Sequence, residues 1–294
     1  MVYYGLNMKL IEGRERAETM CINEASRLLR HNLPKYAGGV AVFALLSATN
    51  REIGSIARHS YCFLRHVDDV IDGEIPFEGD PRAYVINLRD QIESGHYSQD
   101  FSEVGMAQKA ISLLERARQP WHPTPQAVFL EAIDSMVFDI ERREQRRALG
   151  AEELMAYHLH ANNASHSLIL MATGSHLAPD EIVALPISEG IGSSVRDIER
   201  DWTEGTINIP REVLEKTGLT SNSPLNKVLA ALPVRKWFEQ ELAICRGNLS
   251  ILRHMLNTTT GVTARTLSGL YVYQATKGLE KASEAVAGWS KQII

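Results

Sequence analysis

Two groups of aspartate have the types and spacing to do chemistry together. In residues 61–74, YCFLRHVDDVIDGE, Asp68, Asp69 and Asp72 form a DDxxD pattern. On a helix Asp68 and Asp72 project from one face, and Asp69 and Asp72 are neighbours as well. The intervening residues are apolar, including Phe63, Leu64, Val67, Val70 and Ile71. Carboxylates crowded there repel each other and lose hydration, a cost that a bound cation removes. Oxygen ligands with room for water suit Mg²⁺, which takes one or two carboxylates and fills its shell with water and substrate phosphate. The competing reading is a solvated helix terminus at Gly73, although acids at that end oppose the helix dipole.

The second group lies in residues 193–210, SSVRDIERDWTEGTINIP. Ser193, Asp197 and Asp201 fall at i, i+4 and i+8, so a hydroxyl and two carboxylates share one helical face. Arg196 and Arg200 flank that row. The preceding residues, EIVALPISEGIGSSV, are apolar or small, which predicts an interior helix. Two facing carboxylate walls with metal ions between them would hold a diphosphate, and arginine beside them would meet phosphate oxygens bidentately. A surface helix with local ion pairs is the alternative for this segment alone.

The elements that must carry these residues are helical. Apolar residues recur at i, i+3, i+4 and i+7 from about residue 16 onward, and alternating strand patterns are scarce. The pattern predicts helices over 16–31, 36–48, 50–73, 80–94, 103–118, 125–148, 151–175, 179–204, 226–257 and 261–290. Thr124-Pro125 and Ser223-Pro224 each offer a capping hydroxyl followed by proline at the first helical position. Pro186 is expected to kink its helix. Residues 73–80, 118–125 and 205–223 carry loop signals. No linker or repeat divides the chain, so one all-α domain over 1–294 is expected.

Composition narrows the function. The 294 residues are 44% hydrophobic, with Lys+Arg 31 against Asp+Glu 36 and a net charge of -5. That lacks the basic surplus of a nucleic-acid binder. Cys21, Cys62 and Cys245 lie far apart in sequence, with no CxxC pairing, and fit reduced thiols of a cytoplasmic protein. The longest apolar run, residues 38–48, is too short to span a bilayer, and the first residues lack a signal-peptide core. A soluble protein without a membrane anchor is expected.

Taken together, the chain resembles the squalene/phytoene synthase family of trans-prenyl diphosphate enzymes. The resemblance rests on an aromatic-rich helix with arginine leading into DDxxD, here Tyr61, Arg65, Asp68, Asp69 and Asp72. It rests equally on a later R-D-x-x-x-D helix followed by glycine and proline, here Arg196, Asp197, Asp201, Gly205 and Pro210. The resemblance implies an isoprenoid-synthase-type helical bundle with a central cavity. It implies two or three Mg²⁺ ions held by Asp68, Asp69, Asp72, Ser193, Asp197 and Asp201, and an allylic prenyl diphosphate as substrate. Asp68, Asp72, Asp197 and Asp201 would carry catalysis, with Tyr61, Arg65, Arg196 and Arg200 touching substrate.

Several positions depart from the family pattern. A Ser-Lys-Ser-Phe-like stretch that serves a second diphosphate in head-to-head synthases falls, without gaps, on residues 38–43, GGVAVF. Neither hydroxyl nor positive charge remains there. The tyrosine of an Arg-Tyr-x-Thr motif is missing around residues 139–154. Gly190 and Ser193 stand where Gln and Asn are usual, and Thr206 replaces a basic residue. Losing one set of diphosphate contacts while keeping both aspartate groups points to a single diphosphate. The second substrate is then a small molecule without one, as in relatives that prenylate carbazole-type aromatics for natural-product biosynthesis.

Other groups are less specific. His158, His160 and His166 share a predicted helix, but the spacing of the first two suits no common face, so metal ligation there is disfavoured. Asn162 or His166 could orient the acceptor, and Tyr271 could offer its ring to a carbocation. The run Arg142, Arg143, Arg146 and Arg147 reads as a solvated face. The rivals are head-to-head synthesis, a class I terpene cyclase, for which Ser193, Asp197 and Asp201 have suitable spacing, and a non-catalytic scaffold.

Overall fold

The computed structural model describes residues 2–31, 44, 46–48, 50–95, 102–116, 123–175, 177–259 and 262–289. Among the described residues the regular elements are all helical, with no strand. The expected helix over 36–48 lies outside them except for residues 44 and 46–48, which are helical. Residues 38–43 and 117–122 also lie outside.

By backbone contact the chain divides into two units, residues 1–136 with 167–174, and residues 137–166 with 175–294. In the first, α1 (Val2–His31) starts well before residue 16. Helix α2 (Arg51–Ile71) begins where the Asn50 side chain accepts from the Glu52 and Ile53 amides at 2.9 and 3.1 Å. It ends at Asp72, followed by Gly73 at φ +70°, a left-handed conformation that glycine adopts without strain. Helix α3 (Pro81–Ser94) is capped by Asp80, with proline at its first position. Helices α4 (Ser102–Arg116) and α5 (Pro125–Gln145) follow, the latter capped by Thr124 Oγ1 as expected. Phe63 of α2 meets Phe129 of α5 edge-on at 5.7 Å, in a core with Val67, Leu88, Ile92 and Ile133.

The second unit takes the end of α5 and most of α6 (Ala151–Thr173). The single helix expected over 179–204 is three pieces: a 3₁₀ turn (Pro179–Ile182), α7 (Ala184–Arg196) and α8 (Ile198–Glu204). Pro186 therefore sits in the first turn of α7, where no amide partner is lost, and no kink is needed. The joint at Asp197 keeps helical register, since its amide bonds Ser193 O at 2.8 Å and its carbonyl accepts from the Asp201 amide at 2.9 Å. Short α9 (Arg211–Glu215) and α10 (Leu225–Ala230) lead to α11 (Leu232–Thr259) and α12 (Val262–Trp289).

The helix expected over 226–257 is broken at Ala231, which is extended. Pro233 has no amide hydrogen to continue the ladder across that point. Ser223 does not cap α10. Its hydroxyl accepts from the Thr220 amide at 2.9 Å, and Pro224 itself is the capping residue. Phe238, flanked by Trp237 and Trp289, anchors the core of this unit with Leu242, Leu249 and Leu279.

Candidate active site

Burial along α2 divides the DDxxD residues. Ile56, Phe63, Val67 and Val70 face the core, and Asp69 lies among them, fully buried. Tyr61, Arg65, Asp68 and Asp72 form a half-buried stripe beside that face, at helical spacing. Arg65 ties the two faces together, placing Nη1 2.5 Å from Asp68 and Nη2 2.7 Å from Asp69. Asp69 also pairs with Arg27 of α1, which is bonded to buried Glu24. A buried carboxylate between two guanidinium groups is already compensated, so in this structure Asp69 is engaged as an internal ion pair. Its carbonyl closes the following turn, accepting from the Glu74 and Ile75 amides.

In the same unit His66 stands between Glu24 at 3.3 Å and Glu103 at 3.6 Å. Burial opposes its charge, but hydrogen bonds to Glu103 and Glu24 prevail and push it up to about 9. Sequence reading missed Arg27, Glu24 and His66, whose contacts join residues remote in the chain. Cys21 and Cys62 are also neighbours in space, Cys62 Sγ lying 3.5 Å from Cys21 O, although far apart in sequence; both are free and buried.

The second acidic row is likewise a half-buried stripe. Ser193, Asp197 and Asp201 lie between a buried side of Ile191, Val195, Ile198 and Trp202 and an exposed side of Arg196 and Arg200. Arg196, 72% exposed, meets Asp197 through two contacts of 3.0 and 2.6 Å. Arg200 reaches Asp201 at 3.6 Å. Ser193 Oγ donates to Gly190 O at 3.0 Å, which leaves its oxygen lone pairs as acceptors. Asp201 is pushed up to about 6, first by burial and then by the nearby charge of Asp197.

The loop after α8 returns to this row. Gly205 has φ +100°, and a side chain there would collide with Arg143 O at 2.5 Å, so glycine is required twice over. The reversal brings Asn208 back to donate to Asp201 Oδ2 at 2.9 Å. Asn208 Oδ1 accepts from Arg142, which is 1% exposed and lies 4.3 Å from the Tyr157 ring centroid. Tyr157 donates to Asp139 at 2.6 Å. The basic run is thus not a solvated face. Arg142 is buried, and Arg146 binds the carbonyls of Trp202 and Ser221 at 2.9 and 3.0 Å, while Arg147 remains exposed. Buried arginine is uncommon enough that a run interleaved with glutamate gave no sign of it.

The remaining candidates separate. Gly190 faces the ring of His158, which lies 2.5 Å from where a side chain at 190 would begin, so that ring fills the space. His158 is buried and held down to about 3 by desolvation and by Arg142. His160 is exposed, and Asn162 donates to His158 O at 2.9 Å. His166 and Tyr271, named separately from sequence, are in contact, ring centroids 5.2 Å apart and nearly perpendicular. His166 Nε2 lies 2.9 Å from Glu189, a residue sequence reading passed over.

The donor chemistry of both stripes fits Mg²⁺. Each offers half-buried carboxylate oxygens at one-turn spacing, and Asp201 carries an unfavourable charge that a cation would offset. Among the described residues no three His, Cys, Asp or Glu side chains converge as a closed metal cage. An open set of one or two carboxylates is what Mg²⁺ uses beside a phosphorylated substrate. Among the described residues no helix is long and apolar enough to cross a membrane.

No curated protein matches the chain. Among solved structures, the crystal structure of squalene synthase HpnC from Alicyclobacillus acidocaldarius is similar with a TM-score of 0.68 and 20% sequence identity, covering 94% of this chain and 96% of that one. At that identity the likeness shows the fold, an all-α squalene synthase-like architecture. The family model for squalene/phytoene synthase matches residues 50–273, which include both aspartate stripes. With that match over most of its length, the chain belongs to the squalene/phytoene synthase family, and is a prenyl-transferring isoprenoid enzyme that uses prenyl diphosphate.

Proposed function

We propose that this enzyme is a Mg²⁺-dependent prenyltransferase acting as one domain in natural-product biosynthesis, transferring an allylic prenyl group to an aromatic acceptor that carries no diphosphate. The observation that carries the reading is the retention of both half-buried carboxylate stripes in a chain whose residues 38–43 lack the hydroxyls and cation of a second diphosphate site. Asp68 and Asp72, with Ser193, Asp197 and Asp201, would hold the Mg²⁺ ions. Bound there, Mg²⁺ supplies positive charge to diphosphate oxygens and favours C–O cleavage.

The chain's own residues do the rest. Arg196 and Arg200, exposed beside the second stripe, can turn to phosphate oxygens and offset charge on the departing diphosphate. Tyr61 and Arg65 border the first stripe. Tyr271 presents an aromatic ring that would stabilise allylic positive charge, and Asn162 and His166 would orient the acceptor.

Head-to-head coupling of two prenyl diphosphates is the second reading, favoured by the similarity to a squalene synthase. One experiment separates the two. The protein is incubated with Mg²⁺ and dimethylallyl, geranyl, farnesyl or geranylgeranyl diphosphate, with and without phenols, indoles and carbazoles. Diphosphate release that requires an aromatic acceptor is expected, and a chelator should abolish it. Release and a prenyl dimer without acceptor would establish the second reading; a cyclised product would establish a terpene cyclase.

A further inference from the structure

The row of Ser193, Asp197 and Asp201 extends one turn further back along α7, to Glu189. Its position places it on the same half-buried stripe, about 6 Å along the axis from Ser193 and about 12 Å from Asp197. Glu189 keeps 28% of its side chain exposed, while its partner His166, on α6, is 3% exposed. Tyr271 of α12 stands edge-on against the same imidazole and is itself only partly buried. Three helices thus converge on a histidine–carboxylate pair beside the acidic row. Burying such a pair is costly where an apolar pair would pack as well.

We propose that His166, oriented by Glu189, is the base that removes the ring proton from the prenylated acceptor. The inference rests on the aromatic-acceptor reading above. With Nε2–H directed at the Glu189 carboxylate, Nδ1 carries the free lone pair. The balance is complete. The allylic C–O bond breaks and its electron pair leaves with diphosphate. A ring π pair forms the new C–C bond. The ring C–H electrons then restore aromaticity as the proton passes to His166. Glu189 stabilises the resulting imidazolium and is a positioning residue, acting only through His166. The separation along α7, about 6–12 Å, matches the length of a few allylic carbons and one aromatic ring between the diphosphate end and the base.

The test uses the full chain, Mg²⁺, geranyl diphosphate and ring-deuterated 1-naphthol, indole and carbazole. Wild-type protein is expected to form prenylated acceptor without a primary isotope effect. In His166→Asn, transfer should fall about 100-fold, the usual share of one acid–base group, and diphosphate release should fall less, so that the ratio of release to transfer rises. Geraniol should accumulate and a primary isotope effect should appear. Glu189→Gln, which preserves shape, should lower kcat for transfer about 10-fold with the acceptor KM unchanged. It decides the matter if His166→Asn does not fold. Wild-type transfer rates in the variants without an isotope effect, or equal loss of release and transfer, would overturn the proposal. Wild-type turnover without any acceptor overturns the aromatic-acceptor reading itself, and this inference with it.

Discussion

The two aspartate regions look alike in sequence and differ in how their charge is balanced. In the first, Asp69 is enclosed by Arg27 and Arg65, and a neighbouring His66 is held cationic between Glu24 and Glu103. That network neutralises itself. In the second, Asp201 is pushed up to about 6 although Arg200 stands 3.6 Å away, and its hydrogen-bonded partner Asn208 is neutral. The buried histidine there, His158, is kept uncharged. An acid whose charge the protein has already compensated serves the fold. An acid left poorly compensated is available to a ligand cation, and the second stripe has more of that character.

The strongest contrast comes from removing one carboxylate in each region. Asp201→Asn should lower diphosphate release by about 1,000-fold, the scale on which positioned electrostatic groups act. It should leave the melting temperature unchanged or higher, since an unfavourable buried charge is gone. Asp69→Asn should act through the fold instead. It takes one carboxylate from each of Arg27 and Arg65, leaving them Glu24 and Asp68, and costs about 1–3 kcal/mol in denaturant unfolding. If Asp69→Asn folds normally but cannot release diphosphate, Asp69 is a metal ligand and the contrast fails.

Smaller effects test the same distinction. Gly190→Ala drives a methyl into the His158 ring and should cost about 1–3 kcal/mol of stability by overpacking. Recovery of that loss in the double variant with His158→Ala would show that the two positions share one space. The histidines should bend the stability–pH curve in opposite senses. His158 has a folded value near 3, so the unfolded chain binds the proton first. Stability then falls as pH drops below about 6.5, by roughly 1 kcal/mol per unit. His66 has a folded value near 9, so its contribution is present below about 6.5 and is lost as pH rises toward 9. Urea midpoints of His158→Gln and His66→Gln across pH 5–9 would expose each slope by its disappearance.

The helices were legible where apolar residues repeat at 3.6-residue spacing and a cap sits at the start, as at Thr124-Pro125. The breaks at Ala231 and within 179–204 were not read, although Pro233 marks the first, because the apolar pattern runs on through both. The acidic residues were legible by type. Glu189 was passed over because a lone glutamate in a small-residue stretch carries no pattern, and Asn208 because its role depends on the loop reversal at Gly205.

Residue spacing alone established the helical class and the two aspartate rows; the family rests on the resemblance those rows carry and on the family match over residues 50–273. Helical class and rows are local properties, repeated every turn along one helix. Which aspartate is buried, which arginine lies in the interior and which histidine meets a glutamate were decided only by the tertiary structure. Each depends on contacts between segments far apart in sequence, and on the desolvation that follows when those segments close over a charge.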